Sequence, residues 1–166
     1  MGVNKRIILG IDPGYARVGY GIIVVTGGKI SMVDCGVIET VASLDFEQRL
    51  KLIYTKLEYL LKTFKPNLVC YEDIFFYKNV KTGIAVSKAL GAILLTIVQK
   101  NIPILNFTPL QIKQSLTGYG RADKRQMQKV IKMVLKLKEI PQPDDAADAL
   151  AIAICGVGAK LLGYNL

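Results

Sequence analysis

Before residue 40 the chain carries three strand-length apolar runs, and the last two are joined only by Gly27-Gly28. Two adjacent glycines allow the positive φ angles of a two-residue turn, so Val18 to Thr26 and Lys29 to Glu39 are predicted to form a β-hairpin. The run before them, IILGID, is stopped by Asp12-Pro13-Gly14 and predicts a buried strand ending in a turn. A three-stranded antiparallel meander needs cover for its faces, and the remaining sequence supplies it. Phe46, Leu50, Ile53, Leu57, Leu60, Leu61 and Phe64 recur at three- and four-residue intervals, which predicts a helix over 46–64 closed by Pro66.

Leu68 to Ile74 then reads as a short strand, and Lys81 to Gln99 as a helix apolar over much of its circumference. Such a helix is expected to be buried on more than one side, including against a second subunit. Pro103 to Phe107 is a fifth strand. Thr108-Pro109 makes a favourable N-cap and N1 pair for a short helix ending near Gly118. Asp123 to Lys138 is a basic amphipathic helix, Pro141 and Pro143 interrupt the chain, and a last helix starts near Asp144. No repeat or linker divides the sequence. The expectation is one domain over 1–166 of the α/β class, a mixed five-stranded sheet with helices on both faces.

The sequence has no histidine and no tryptophan. Relays of the Ser-His-Asp and Cys-His kinds, and zinc sites that need an imidazole, are therefore excluded. With 51% hydrophobic residues over 166 positions a disordered chain is excluded as well. Cys35, Cys70 and Cys155 are odd in number and widely spaced, which favours three small hydrophobes in a reducing compartment over disulfides or a thiolate metal site. The apolar run at the N-terminus is too short for a signal peptide. Ala89 to Val98 and Ala149 to Ala159 fall short of the roughly 20 residues of a membrane helix. A soluble, cytoplasmic protein without a membrane partner is expected.

The formal net charge is +9, from 22 basic and 13 acidic residues, and points to a polyanionic partner, nucleic acid before an anionic membrane surface. Eight basic residues and one acid lie between Lys113 and Lys138, a balance of +7 that leaves +2 for the rest. Arg125, Lys129, Lys132 and Lys136 recur at helical spacing opposite Met127, Val130, Ile131 and Val134. A face of one sign costs repulsion unless phosphates neutralise it. Gly118-Tyr119-Gly120-Arg121 just before it suits close approach to a sugar–phosphate backbone.

Most acids in a chain like this are solvated surface charges. Four are placed otherwise. Asp12 ends one apolar strand, Glu72 sits at the end of another, and Asp145 and Asp148 share a face at the start of the last helix. Taken singly they are a turn residue, an edge charge and helix-dipole partners; together they suggest convergence at one sheet edge. Clustered carboxylates repel and take up protons unless a cation relieves them. An all-oxygen set suits Mg²⁺ or Mn²⁺, and two such ions support in-line phosphoryl displacement. Asp73 is expected to point to the opposite face of the strand and is not counted as a ligand.

GIDPG at 10–14, YEDIFFYKN at 71–79, PLQIKQSLTGYGRADKRQ from 109 and DAADALAIA at 145–153 occur in that order. This set resembles the RuvC family of bacterial Holliday-junction resolvases, whose catalytic domain is ribonuclease H-like, and the resemblance spans essentially the whole chain. It implies a Mg²⁺-dependent endonuclease, with two ions per subunit and Mn²⁺ able to substitute, that makes paired symmetric nicks in four-way junction DNA during recombination and repair. The metal-binding acids it implies are Asp12, Glu72, Asp145 and Asp148. Some relatives have a histidine at or near the position of Asp145; here all four are carboxylates. Lys113 and Lys124 fall where the family places lysines near the scissile phosphate, and Phe75 where an aromatic inserts at the crossover. Lys78, Arg121 and Arg125 are expected to contact DNA. A homodimer, the branch-migration partners RuvA and RuvB, and 5′-phosphate and 3′-hydroxyl products follow from the same resemblance. Two rivals stay open: an actin-like ATPase or another ribonuclease H-like hydrolase, since GIDPG alone also opens such folds, and a junction-binding protein without catalysis.

Overall fold

The computed structural model describes residues 5–73 and 80–158. Five strands form one sheet: β1 (Lys5–Asp12), β2 (Arg17–Thr26), β3 (Lys29–Glu39), β4 (Leu68–Glu72) and β5 (Ile104–Phe107), in the order β3-β2-β1-β4-β5. The β1–β2 and β2–β3 pairs are antiparallel, while β4 lies parallel to β1 and β5 parallel to β4. Gly27 and Gly28 turn the hairpin with φ of 56° and 78°, the double positive φ that the glycine pair predicts. The mixed five-stranded sheet expected from the sequence is thus present.

The helices are α1 (Phe46–Phe64), α2 (Val80–Val98), α3 (Pro109–Thr117), α4 (Lys124–Val134) and α5 (Asp144–Cys155). Strand alternation separates two cores. Leu9, Ile11, Ile22 and Val69 face α1 and α2, where they meet Ile53, Leu57, Leu61, Ala89, Ile93 and Ile97. Ile8, Ile23, Leu68 and Cys70 face the other way, onto α5, α3 and α4. Both sheet faces are therefore covered by helices, as expected. Cys70 and Cys155 are buried and Cys35 half-buried, all as free thiols.

Local sequence signals set several boundaries. Thr108 caps α3 through a reciprocal capping box with Gln111, and Asp123 does the same for α4 with Gln126. The basic helix is shorter than predicted. It stops at Val134, because Lys136 adopts φ 52° and the Leu137 N–H reaches back to the Lys132 carbonyl, a closing turn that half-buries Leu137. Lys136 consequently leaves the helical stripe that Arg125, Lys129 and Lys132 share. On α2, Ala89, Ile93 and Ile97 are buried in the core, whereas Ile84, Leu95 and Val98 are each more than half exposed. Among the described residues, one side of α2 is covered. Its outward apolar residues are at helical spacing and form a stripe.

Candidate active site

The position of the acids follows from strand register. Ile8 and Gly10 face α5 in β1, and Leu68 and Cys70 do so in β4. A period of two then turns Asp12 and Glu72 to the same face. Ile11 is the register partner of Tyr71, so the next residues, Asp12 and Glu72, end adjacent parallel strands side by side. Across from them is the N-terminal part of α5, which carries Asp145 in its first turn and Asp148 three residues on.

α5 reaches that position because nothing stands between it and the sheet. A Cβ on Gly10 would collide with the Ala149 carbonyl oxygen, and one on Gly19 with the Asp145 carbonyl oxygen. On Gly21 it would lie 2.6 Å from the Leu150 nitrogen. Ala146, Ala149 and Ala153 are completely buried. This glycine and alanine pairing was open to view in the sequence and is a signal that periodicity analysis misses, because it marks absent side chains.

The electrostatics match a crowded acidic site. Burial, followed by the charges of Glu72, Asp148 and Asp145, pushes the Asp12 carboxyl up to about 7, with Lys124 pulling the other way. Glu72 is raised by burial and by Asp148, against the influence of Lys113. Asp148 is raised by burial, against Lys124. A cleft of about 230 Å³ lined by Glu72, Lys113, Lys124, Asp148 and Ile152 opens beside them. A smaller one, about 160 Å³, is lined by Asp12, Pro13, Glu72, Asp73 and Val86. Asp73 also lines this smaller cleft, together with Val86 of α2; its N–H continues the ladder to the Phe107 carbonyl, so alternation turns it away from Glu72 to the sheet face of Tyr71 and Asn106, as expected. Its Oδ2 accepts a hydrogen bond from Asn106 Nδ2 at 3.1 Å.

The cations are already engaged with the acids. Lys124 Nζ lies 2.9 Å from Asp144 Oδ2 and 3.6 Å from Asp148 Oδ2, and these contacts raise its pKa. Gln128 donates to the other Asp144 oxygen at 3.3 Å. Arg17, which the sequence did not single out, sits 3.2 Å from Asp145 Oδ2. Among the described residues no three His, Cys, Asp or Glu side chains are drawn together as a ready-made metal centre. The donor set nevertheless fits a hard divalent cation: it is all oxygen, shares one sheet edge, and burial together with the neighbouring carboxylates raises the Asp12 carboxyl, a repulsion that a bound cation relieves. Arg121 lies exposed in the turn before α4, and Arg125 is exposed on α4 itself. Phe75 and Lys78 lie outside the described residues.

The family model described as crossover junction endodeoxyribonuclease RuvC matches residues 8–156. The chain belongs to the RuvC family. The RuvC of Thermotoga petrophila is 53% identical over 148 residues, covering 89% of this chain and 90% of that one. The RuvC of Roseiflexus sp. is 50% identical over 147 residues, covering 89% and 88%. Among solved structures, Thermus thermophilus RuvC in complex with Holliday junction substrate superposes with a TM-score of 0.90 at 33% identity, covering 95% of this chain and 96% of that one. The fold is therefore RuvC-like and ribonuclease H-like, and the nuclease class of the RuvC family implies dependence on a divalent metal. No helix among the described residues is long and apolar enough to cross a membrane.

Proposed function

We propose that this chain is a Mg²⁺-dependent endonuclease that resolves four-way DNA junctions. The observation that carries the reading is the side-by-side ending of Asp12 and Glu72 on the α5 face, opposite Asp145 and Asp148 and beside Lys113 and Lys124. The four carboxylates hold the metal, with two ions per subunit and Mn²⁺ able to replace Mg²⁺. When bound, the ions supply an activated water and stabilisation of the leaving oxygen. Asp12 and Glu72 orient from the rigid sheet, and Asp145 and Asp148 from the helix. Lys113 and Lys124 offer positive charge where negative charge develops on the phosphate, and hydrolysis leaves 5′-phosphate and 3′-hydroxyl ends.

The basic face of α4 with Arg121 and Arg125 tracks the DNA backbone, Lys78 contacts DNA as well, and Phe75 serves the crossover. The outward apolar stripe of α2 is the contact between two copies of the chain, since paired nicks in a two-fold junction need two equivalent sites. RuvA and RuvB are the branch-migration partners, and the cytoplasm the compartment. The test is Asp12→Asn on a synthetic four-way junction and on a linear duplex, with Mg²⁺. Cleavage of the junction should vanish while binding persists; retained cleavage would overturn the site.

A further inference from the structure

Arg17 opens β2 and is the ladder partner of Glu39, the last residue of β3. Its guanidinium bridges two carboxylates, Glu39 Oε1 at 3.5 Å and Asp145 Oδ2 at 3.2 Å. Arg17 and Gly19 are two apart and so share the sheet face turned toward α5. At Gly19 the backbones themselves meet, because a Cβ there would collide with the Asp145 carbonyl oxygen. One edge of the sheet thus seats the Asp145 main chain through Gly19 and grips its side chain through Arg17.

We propose that Arg17, backed by Glu39, is a positioning residue that fixes the Asp145 carboxylate for metal binding. This rests on the reading that Asp145 is a metal ligand. The alternative role is fold stability, but the Arg17 side chain is 44% exposed and that of Glu39 68%, and exposed ion pairs add little to folding. A second alternative is a simple counter-charge that competes with the metal. Glu39 already balances Arg17, and both carboxylates meet the same nitrogen, Nη2, so Asp145 is paired with a largely neutralised cation whose distinctive contribution is placement. Held by one oxygen, Asp145 loses side-chain freedom that a metal would otherwise have to remove, as outer-shell partners of metal ligands commonly do.

The experiment measures Mn²⁺ binding to the full chain without DNA, by calorimetry, for the parent protein and for Arg17→Met, Arg17→Lys, Glu39→Gln and Asp145→Asn. Arg17→Met is expected to raise the Kd for Mn²⁺ about tenfold with an unchanged melting temperature in EDTA. Arg17→Lys should recover only part of the loss, and Glu39→Gln should shift the Kd in the same direction by less. Excess Mg²⁺ should return junction cleavage by Arg17→Met to the parental maximum rate. An unchanged Kd in Arg17→Met overturns the proposal, and a lower Kd shows that Arg17 only competes with the metal. If Asp145→Asn binds Mn²⁺ as the parent does, the ligand assignment fails first and the role of Arg17 with it. Loss of binding in Asp145→Asn with no change in Arg17→Met leaves the ligand set intact and removes Arg17 alone.

Discussion

Gly10 and Ala149 are in backbone contact: a Cβ at Gly10 would run into the Ala149 carbonyl oxygen and lie 2.5 Å from the Ala153 nitrogen. Because the atoms opposed to Gly10 are helix backbone, no rotamer change relieves a substitution; α5 itself must move. The same helix carries Asp145 and Asp148, so the tightness of this packing and the placement of the site are one property.

Gly10→Val is therefore expected to destabilise the chain by about 3 kcal/mol or more, the upper range for overpacking. In a domain of this size that lowers the melting temperature by roughly 10 °C. Thermal melting followed by circular dichroism checks it. Ala147→Gly, in the same helix and also completely buried, should cost about 2 kcal/mol, from a weaker helix propensity and the loss of one buried methyl group.

Asp12 predicts how stability depends on pH. Its carboxyl is raised to about 7, above the ordinary aspartate value of 3.8 that applies in the unfolded chain. Between these values the native state holds a proton that the unfolded state has lost, so this contribution to stability is complete below about pH 3.8 and lost as pH rises toward 7. Melting temperatures in EDTA should show the decline, superposed on all other titrations, and Asp12→Asn should remove that component. Added Mg²⁺ should raise the melting temperature of the parent more at pH 8 than at pH 5, where protons compete for the same oxygens.

Much of this was legible in the residues, for physical reasons that differ by element. Gly27-Gly28 specified a turn and Thr108-Pro109 a helix start because both signals are local, and the α1 repeat placed Ile53, Leu57 and Leu61 in the core. The strand-end acids could be picked out because charge at the end of an apolar run is costly unless used. The end of α4 was not legible: Lys136 is as compatible with the helical stripe as Lys132, and Leu137 decides the matter by folding back. Arg17 was invisible for another reason. It reads as an ordinary basic residue at the start of a strand, and its link to Asp145 exists only once α5 has crossed β2.

Lys124 binds Asp144 and Asp148, and its raised pKa keeps it charged well beyond neutrality. Lys124→Met should lower the single-turnover cleavage rate at saturating Mg²⁺ by about 10²-fold, the scale of removing one charge-stabilising donor. Junction affinity measured with Ca²⁺ should change by less than tenfold, since one phosphate contact is a small part of the whole. Equal losses in rate and affinity would assign Lys124 to binding instead.

The α2 stripe yields a prediction about assembly. Leu95 is 59% exposed between Ile84 and Val98, so a charge there meets water in a monomer but apolar surface in a dimer. Leu95→Glu should shift the sedimentation coefficient from dimer to monomer at micromolar concentration with little change in melting of the monomer. Junction products should shift from paired to single nicks. A parental sedimentation profile would move the dimer contact elsewhere.

Arg125, Lys129 and Lys132 are exposed on α4, while Met127 and Ile131 turn inward. Each neutralised phosphate releases condensed counterions, so the slope of log affinity against log salt counts the phosphates a protein neutralises. Replacing all three by Gln should flatten that slope by about one for each phosphate no longer neutralised, hence by about three if all of them touch phosphates. The maximum cleavage rate at saturating protein should stay near the parental value, because none of these three side chains lines the acidic cleft. A slope that does not change would take this face off the DNA, and the concentration of charge between Lys113 and Lys138 would then have to act through Lys113, Arg121, Lys124, Lys136 and Lys138.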